Sequence, residues 1–124
     1  MTRITSILVL LLLNVALPSR AGAEDAATTS LKCEVGPLAK SYGGTNWLLY
    51  ACDDGHSLVI VSAEGNPATP FYFMFAWKNG AYRLHGEGTG DKKATQAAFD
   101  DLSKLDKSEI ERLVQDVFNS RSKQ

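Results

Sequence analysis

From Leu31 to Gly86 the apolar positions favour extended structure, and from Asp91 onward they recur at helical spacing. Leu31, Cys33 and Val35 alternate with Lys32 and Glu34, which predicts a short strand with one buried face. Pro37 and the stretch Ser41–Asn46, with Gly43-Gly44 inside, read as a loop. Trp47–Cys52 and Ser57–Ser62 are apolar, β-branched and aromatic runs separated by Asp53-Asp54-Gly55-His56. An Asp-Gly pair between such runs is a strong hairpin signal, because a two-residue tip needs positive φ at both positions. That tip sets Trp47 opposite Ser62, Leu49 opposite Ile60 and Ala51 opposite Leu58. The reverse face then carries Leu48, Tyr50, Cys52, Val59 and Val61.

A second hairpin follows on the same logic. Phe71–Trp77 is almost wholly aromatic and apolar, and Asn79-Gly80 supplies the tip before Ala81–Gly86. Trp77 then faces Tyr82 and Phe75 faces Leu84, while Tyr72, Met74, Ala76, Arg83 and His85 fall on the other side. Two helices close the chain. Asp91 caps the first, with Ala94, Ala97, Ala98, Leu102 and Leu105 as its apolar stripe. Asp106 and Glu109 form a capping box for the second, Leu105 can staple to Ile110, and Ile110, Leu113, Val114, Val117 and Phe118 form its stripe. The predicted fold class is α+β: an antiparallel β-meander of four to five strands, containing two hairpins, followed by two C-terminal helices packed on the sheet.

The front of the chain changes the setting. Arg3, the apolar run Ile4–Leu17, Pro18 and the small residues Ala21-Gly22-Ala23 follow the pattern of a secretory signal peptide over 1–23. Cleavage is predicted between Ala23 and Glu24. The apolar run is shorter than the roughly 20 residues a membrane span needs, so no span is expected after cleavage. Residues 24–44 then form an N-terminal leader with a short strand, tied down by a disulfide, and 45–124 form the α+β domain. Cys33 and Cys52 are the only two cysteines. In an oxidising compartment such a pair in a small domain forms a structural bridge. The expected localisation is periplasmic or secreted.

Charge excludes one class of partner. Of 13 basic residues Arg3 and Arg20 leave with the signal, against 14 acidic ones, so the mature chain is mildly acidic. That balance argues against nucleic acid or an anionic membrane as partner. Gly86-Glu87-Gly88-Thr89-Gly90-Asp91-Lys92-Lys93 superficially suggests a phosphate loop, but Asp91 stands where a Walker motif needs lysine. No metal site is expected, since His56 and His85 are the only histidines and a metal needs three or four convergent ligands. No cofactor is expected either.

Three functional readings remain. The first is a non-enzymatic periplasmic binding or interaction protein for an envelope protein or a small apolar molecule, with Tyr50, Tyr72, Met74, Arg83 and His85 lining a shallow groove. The second is a proteinaceous inhibitor of an extracytoplasmic hydrolase, using the loop Glu64–Pro70. The third is a small enzyme built from Asp53, His56, His85 or Glu87.

The stretch Tyr50-Ala51-Cys52-Asp53-Asp54-Gly55-His56-Ser57-Leu58-Val59-Ile60-Val61 resembles the opening strands of periplasmic C-type lysozyme inhibitors, small exported β-domains with a cysteine before a polar turn and an apolar strand. The inhibitory Ser-Gly-rich loop of that family, with its following tyrosine, has no counterpart here. Its all-β barrel also does not suit two C-terminal helices, so the resemblance assigns no functional residue.

Overall fold

The computed structural model describes residues 30–122. The expected signal peptide, its cleavage point and the start of the leader lie outside them. Five strands, β1 (Val35–Tyr42), β2 (Thr45–Ala51), β3 (Leu58–Ser62), β4 (Phe71–Lys78) and β5 (Ala81–Gly88), precede two helices, α1 (Lys92–Leu102) and α2 (Lys107–Ser122). The strands form one antiparallel sheet in chain order, β1-β2-β3-β4-β5, and the helices pack on one face of it, as the α+β meander requires.

Both predicted registers hold. Trp47 pairs with Ser62, Leu49 with Ile60 and Ala51 with Leu58. Across the second hairpin Trp77 pairs with Tyr82 and Phe75 with Leu84. Only Asn79-Gly80 makes its turn in the expected way, with φ of 53° and 79°. At the first tip Gly55 alone has positive φ. There the Asp54 carboxylate accepts the N–H groups of His56 and Ser57, at 2.9 and 2.7 Å, giving a longer loop built on an Asx turn. Cys52 N–H donates to Ser57 O and closes that loop without changing the pairing beyond it.

The N-terminal part departs from expectation. Leu31–Glu34 is not a strand; β1 instead begins at Val35 and runs through Pro37 to Tyr42. Pro37 is tolerated because β1 is an edge and bulges between Val35 and Leu38. The expected loop over Ser41–Asn46 is a tight hairpin. Gly43 and Gly44 have φ of 59° and 79°, the conformation of a two-residue type I′ turn, which two glycines adopt without penalty.

Alternation puts Trp47, Leu49, Ala51, Leu58, Ile60, Phe73 and Phe75 on the helix side, where they are buried with Ala98, Leu102, Ile110, Val114 and Val117. Trp47 is fully enclosed, and its indole N–H reaches Thr45 Oγ1 at 3.0 Å and Tyr42 O at 3.2 Å. The helix ends follow the sequence. Asp91 accepts from Ala94 N–H at 2.9 Å, and Asp106 and Glu109 exchange two bonds of 2.9 Å as a capping box. α2 lies over β1 and β2, and α1 reaches β1 and, through Phe99, the Phe73 ring of β4.

Cys33 and Cys52 form the disulfide. Cys52 is fully buried, and Lys32 O accepts from Asp53 N–H at 2.8 Å, so the segment before β1 pairs alongside the end of the first hairpin. In the chain-entropy model, closing a loop of this length stabilises the fold by about 3 kcal/mol. Among the described residues no helix is long and apolar enough to cross a membrane.

Candidate functional site

The side chains that alternation directs away from the helices form an ordered lattice. Leu48 pairs with Val61, Val61 with Tyr72 and Tyr72 with Glu87, making one row across β2, β3, β4 and β5. Tyr50, Val59, Met74 and His85 make the next row, and Ala76 with Arg83 begins a third. Neighbouring strands lie about 4.8 Å apart, so each row spans roughly 15 Å. The centre is apolar and half-buried, whereas Arg83, His85 and Glu87 on β5 are exposed.

This arrangement brings Tyr50, Tyr72, Met74, Arg83 and His85 onto one face. Leu48, Val59 and Val61 join them because β3 pairs with β4, an adjacency that no local turn motif encodes. A groove of about 680 Å³ opens over Val59, Val61 and Tyr72 and continues to Pro70, Phe71 and the Glu87–Thr89 end of β5. Tyr72 donates its hydroxyl to Glu87 Oε1 at 3.1 Å, and this bond to a carboxylate raises the phenol above its usual range.

The residues considered for acid–base chemistry are not assembled. The His56 ring stacks on Trp77 at 4.5 Å, on the helix side of the sheet, whereas His85 projects from the opposite face. Tyr82 donates to His56 O at 2.8 Å, and burial pushes its phenol up to about 12, with the charges of Glu111 and Asp54 adding to the shift. Asp53 holds Lys32 N–H at 3.2 Å, and Glu87 holds Tyr72. Among the described residues no group of three or more His, Cys, Asp or Glu side chains converges on a common point.

Asp54 is the most engaged carboxylate at this end of the sheet. Partial burial by itself raises its pKa, but the Ser57 hydroxyl at 2.7 Å, the N–H groups of Ser57 and His56 and the nearby imidazole outweigh it and hold it below the usual range. Ser57, fully buried, also accepts from Trp77 N–H at 3.0 Å, so the network ties the first hairpin to β4. Replacing Asp54 with alanine is expected to cost about 2 kcal/mol at neutral pH, allowing for its partial exposure. A carboxyl with a depressed folded pKa stabilises above its unfolded value of about 3.9 and loses that contribution as pH falls below it. The stability gap between parent and Asp54→Ala should therefore hold from neutral pH to about 5 and narrow below about 4 in denaturant melts carried down to about pH 2. A gap constant across that range would assign the effect to packing.

The loop Glu64–Pro70 is built into the fold. Asn66 and Ala68 are buried, Asn66 Nδ2 donates to Asn46 O at 2.7 Å, and Asp91 N–H donates to Pro67 O at 3.0 Å. The glycine-rich segment is structural as well: Gly86 and Gly88 belong to β5, and Asp91 takes the amide that a bound anion would need. Comparison with protein-family models, with curated proteins and with solved structures returned no match.

Proposed function

We propose that the protein is a non-enzymatic binding protein of the periplasm or extracellular space, and that the open sheet face takes a small apolar molecule. The observation that carries this reading is the groove of about 680 Å³ over Val59, Val61 and Tyr72. Sites for small molecules are concave and mostly apolar, with a few polar groups that fix orientation. Here the walls are mostly aliphatic and aromatic, and the Tyr72–Glu87 pair stands on the β5 side. The rigid sheet keeps the groove formed without ligand, which lowers the ordering cost of binding. The disulfide and the signal-like N-terminus support an oxidising, extracytoplasmic setting.

The test uses the apolar dye 1-anilinonaphthalene-8-sulfonate as probe. The folded protein should enhance its fluorescence, and Val61→Glu, which sets a carboxylate in the groove, should weaken binding by at least about tenfold. Val61 is only half-buried, so the variant should keep its circular dichroism spectrum. Dye binding that ignores Val61→Glu would sink the assignment to this face.

A further inference from the structure

The two edges of the sheet are not alike. β1 is interrupted by Pro37, bulges between Val35 and Leu38 and carries Lys40, which are features that discourage pairing with another chain. β5 has none of the first two. It pairs with β4 without interruption from Ala81 to Gly88, and its residues from His85 to Gly88 are exposed.

The turn determines which groups β5 offers. A two-residue hairpin makes Lys78 and Ala81 the closing hydrogen-bonded pair, so Ala81, Arg83, His85 and Glu87 direct their backbone groups towards β4. Thr89 N–H bonding to Pro70 O at 3.0 Å continues the same phase. The amides and carbonyls of Tyr82, Leu84, Gly86 and Gly88 therefore point outward.

We propose that β5 pairs antiparallel with β5 of a second copy of this chain about a two-fold axis through His85. An antiparallel ladder joins outward groups to outward groups, which leaves few registers. One of them pairs Tyr82 with Gly88 and Leu84 with Gly86, and so uses every outward residue of the strand. The same register places Arg83 opposite Glu87 twice, once on each side of the axis. A shift of one residue on each copy breaks this match. In one direction it sets Leu84 against Leu84 and Arg83 against His85; in the other it sets Gly86 against Gly86 and leaves Arg83 without a carboxylate.

The helix side agrees with that register. Leu84 of the second copy comes beside Gly86, where a groove of about 210 Å³ lies between Phe71, Phe73 and Phe99. A side chain on Gly86 would itself run into the Phe71 and Phe73 rings at 2.7 Å, so only a neighbour across the edge can use that space. Phe99 is 39 % exposed, off the apolar stripe of α1 and next to this groove. The interface is isologous and small, so it fits a reversible dimer with Kd on the order of 10 μM. The inference is independent of what occupies the open face, because pairing extends the sheet in its own plane.

Sedimentation equilibrium of the purified protein tests it, with Arg83→Glu and Glu87→Arg as variants. Each reversal sets like charges opposite each other at both pairs and should weaken the dimer by about tenfold or more. Both sites are exposed, and Glu87→Arg loses only the exposed bond from the Tyr72 hydroxyl, so melting of the dilute monomers should stay close to that of the parent. The two variants mixed in equal amounts restore opposite charges at both pairs and should associate more tightly than either alone. A protein monomeric to about 1 mM overturns the proposal, as does a dimer indifferent to the reversals or a mixture no tighter than its components.

Discussion

Replacing Trp47 with alanine should lower the stability of the fold by about 4 kcal/mol, the upper part of the range for emptying a large aromatic site. Trp47 is the largest fully enclosed side chain and packs against the Phe73 ring at 5.3 Å between centroids. The cavity cannot collapse easily, because its walls belong to strands held by ladders on either side. The indole N–H also satisfies Tyr42 O beside the Gly43-Gly44 turn, so truncation removes a bond that anchors the turn. Domains of this size have a total stability of about 5–15 kcal/mol, which puts the variant near its folding threshold. Denaturant melts give the answer. A loss below about 2 kcal/mol would mean that the helices can settle onto the sheet without this side chain.

The second large effect separates two adjacent glycines. Both have positive φ, so alanine at either carries the left-handed penalty of about 1–2 kcal/mol. A Cβ on Gly44 meets nothing within 4 Å, whereas one on Gly43 lies 2.5 Å from the backbone of Ala97 and Ala98 in α1. Backbone cannot rotate away as a side chain can, so Gly43→Ala adds an overpacking cost of about 2 kcal/mol or more. It also strains the bond from Gly43 N–H to Asp101 Oδ2, 2.6 Å long. Gly44→Ala should thus cost about 1–2 kcal/mol and Gly43→Ala about 3–4, read from paired thermal melts. Equal losses at the two positions would show that α1 shifts freely over this turn.

The first of these sites follows from the sequence pattern and the second does not. Hairpin registers could be read because side-chain alternation and a short connection together permit few pairings. The helix caps could be read because Asp91, Asp106 and Glu109 act within one turn of their own position. Gly43-Gly44 was misread because glycine pairs serve both loops and type I′ turns, and the deciding fact is a helix more than fifty residues away. Asp54 was misread for a different reason: its side chain competes with the backbone conformation that an Asp-Gly tip usually takes. Tyr50, Tyr72, Met74, Arg83 and His85 could each be placed on a strand face from local patterning. Their assembly into one lattice depends on β3 meeting β4 across the Ala63–Pro70 connection, which no turn motif specifies.

The position of α2 over β1 and β2 also bears on how the chain acquires its structure. Every strand pairs with its neighbour in sequence, so the sheet can assemble by short loop closures, the kind that form early. The last helix nonetheless supplies Ile110, Val114 and Val117, without which the side of the sheet bearing Trp47 remains wet. In chain order these residues follow all five strands. A nascent chain that has emerged only as far as β5 therefore has hairpins but no closed core, and its sheet stays open to water until α2 follows.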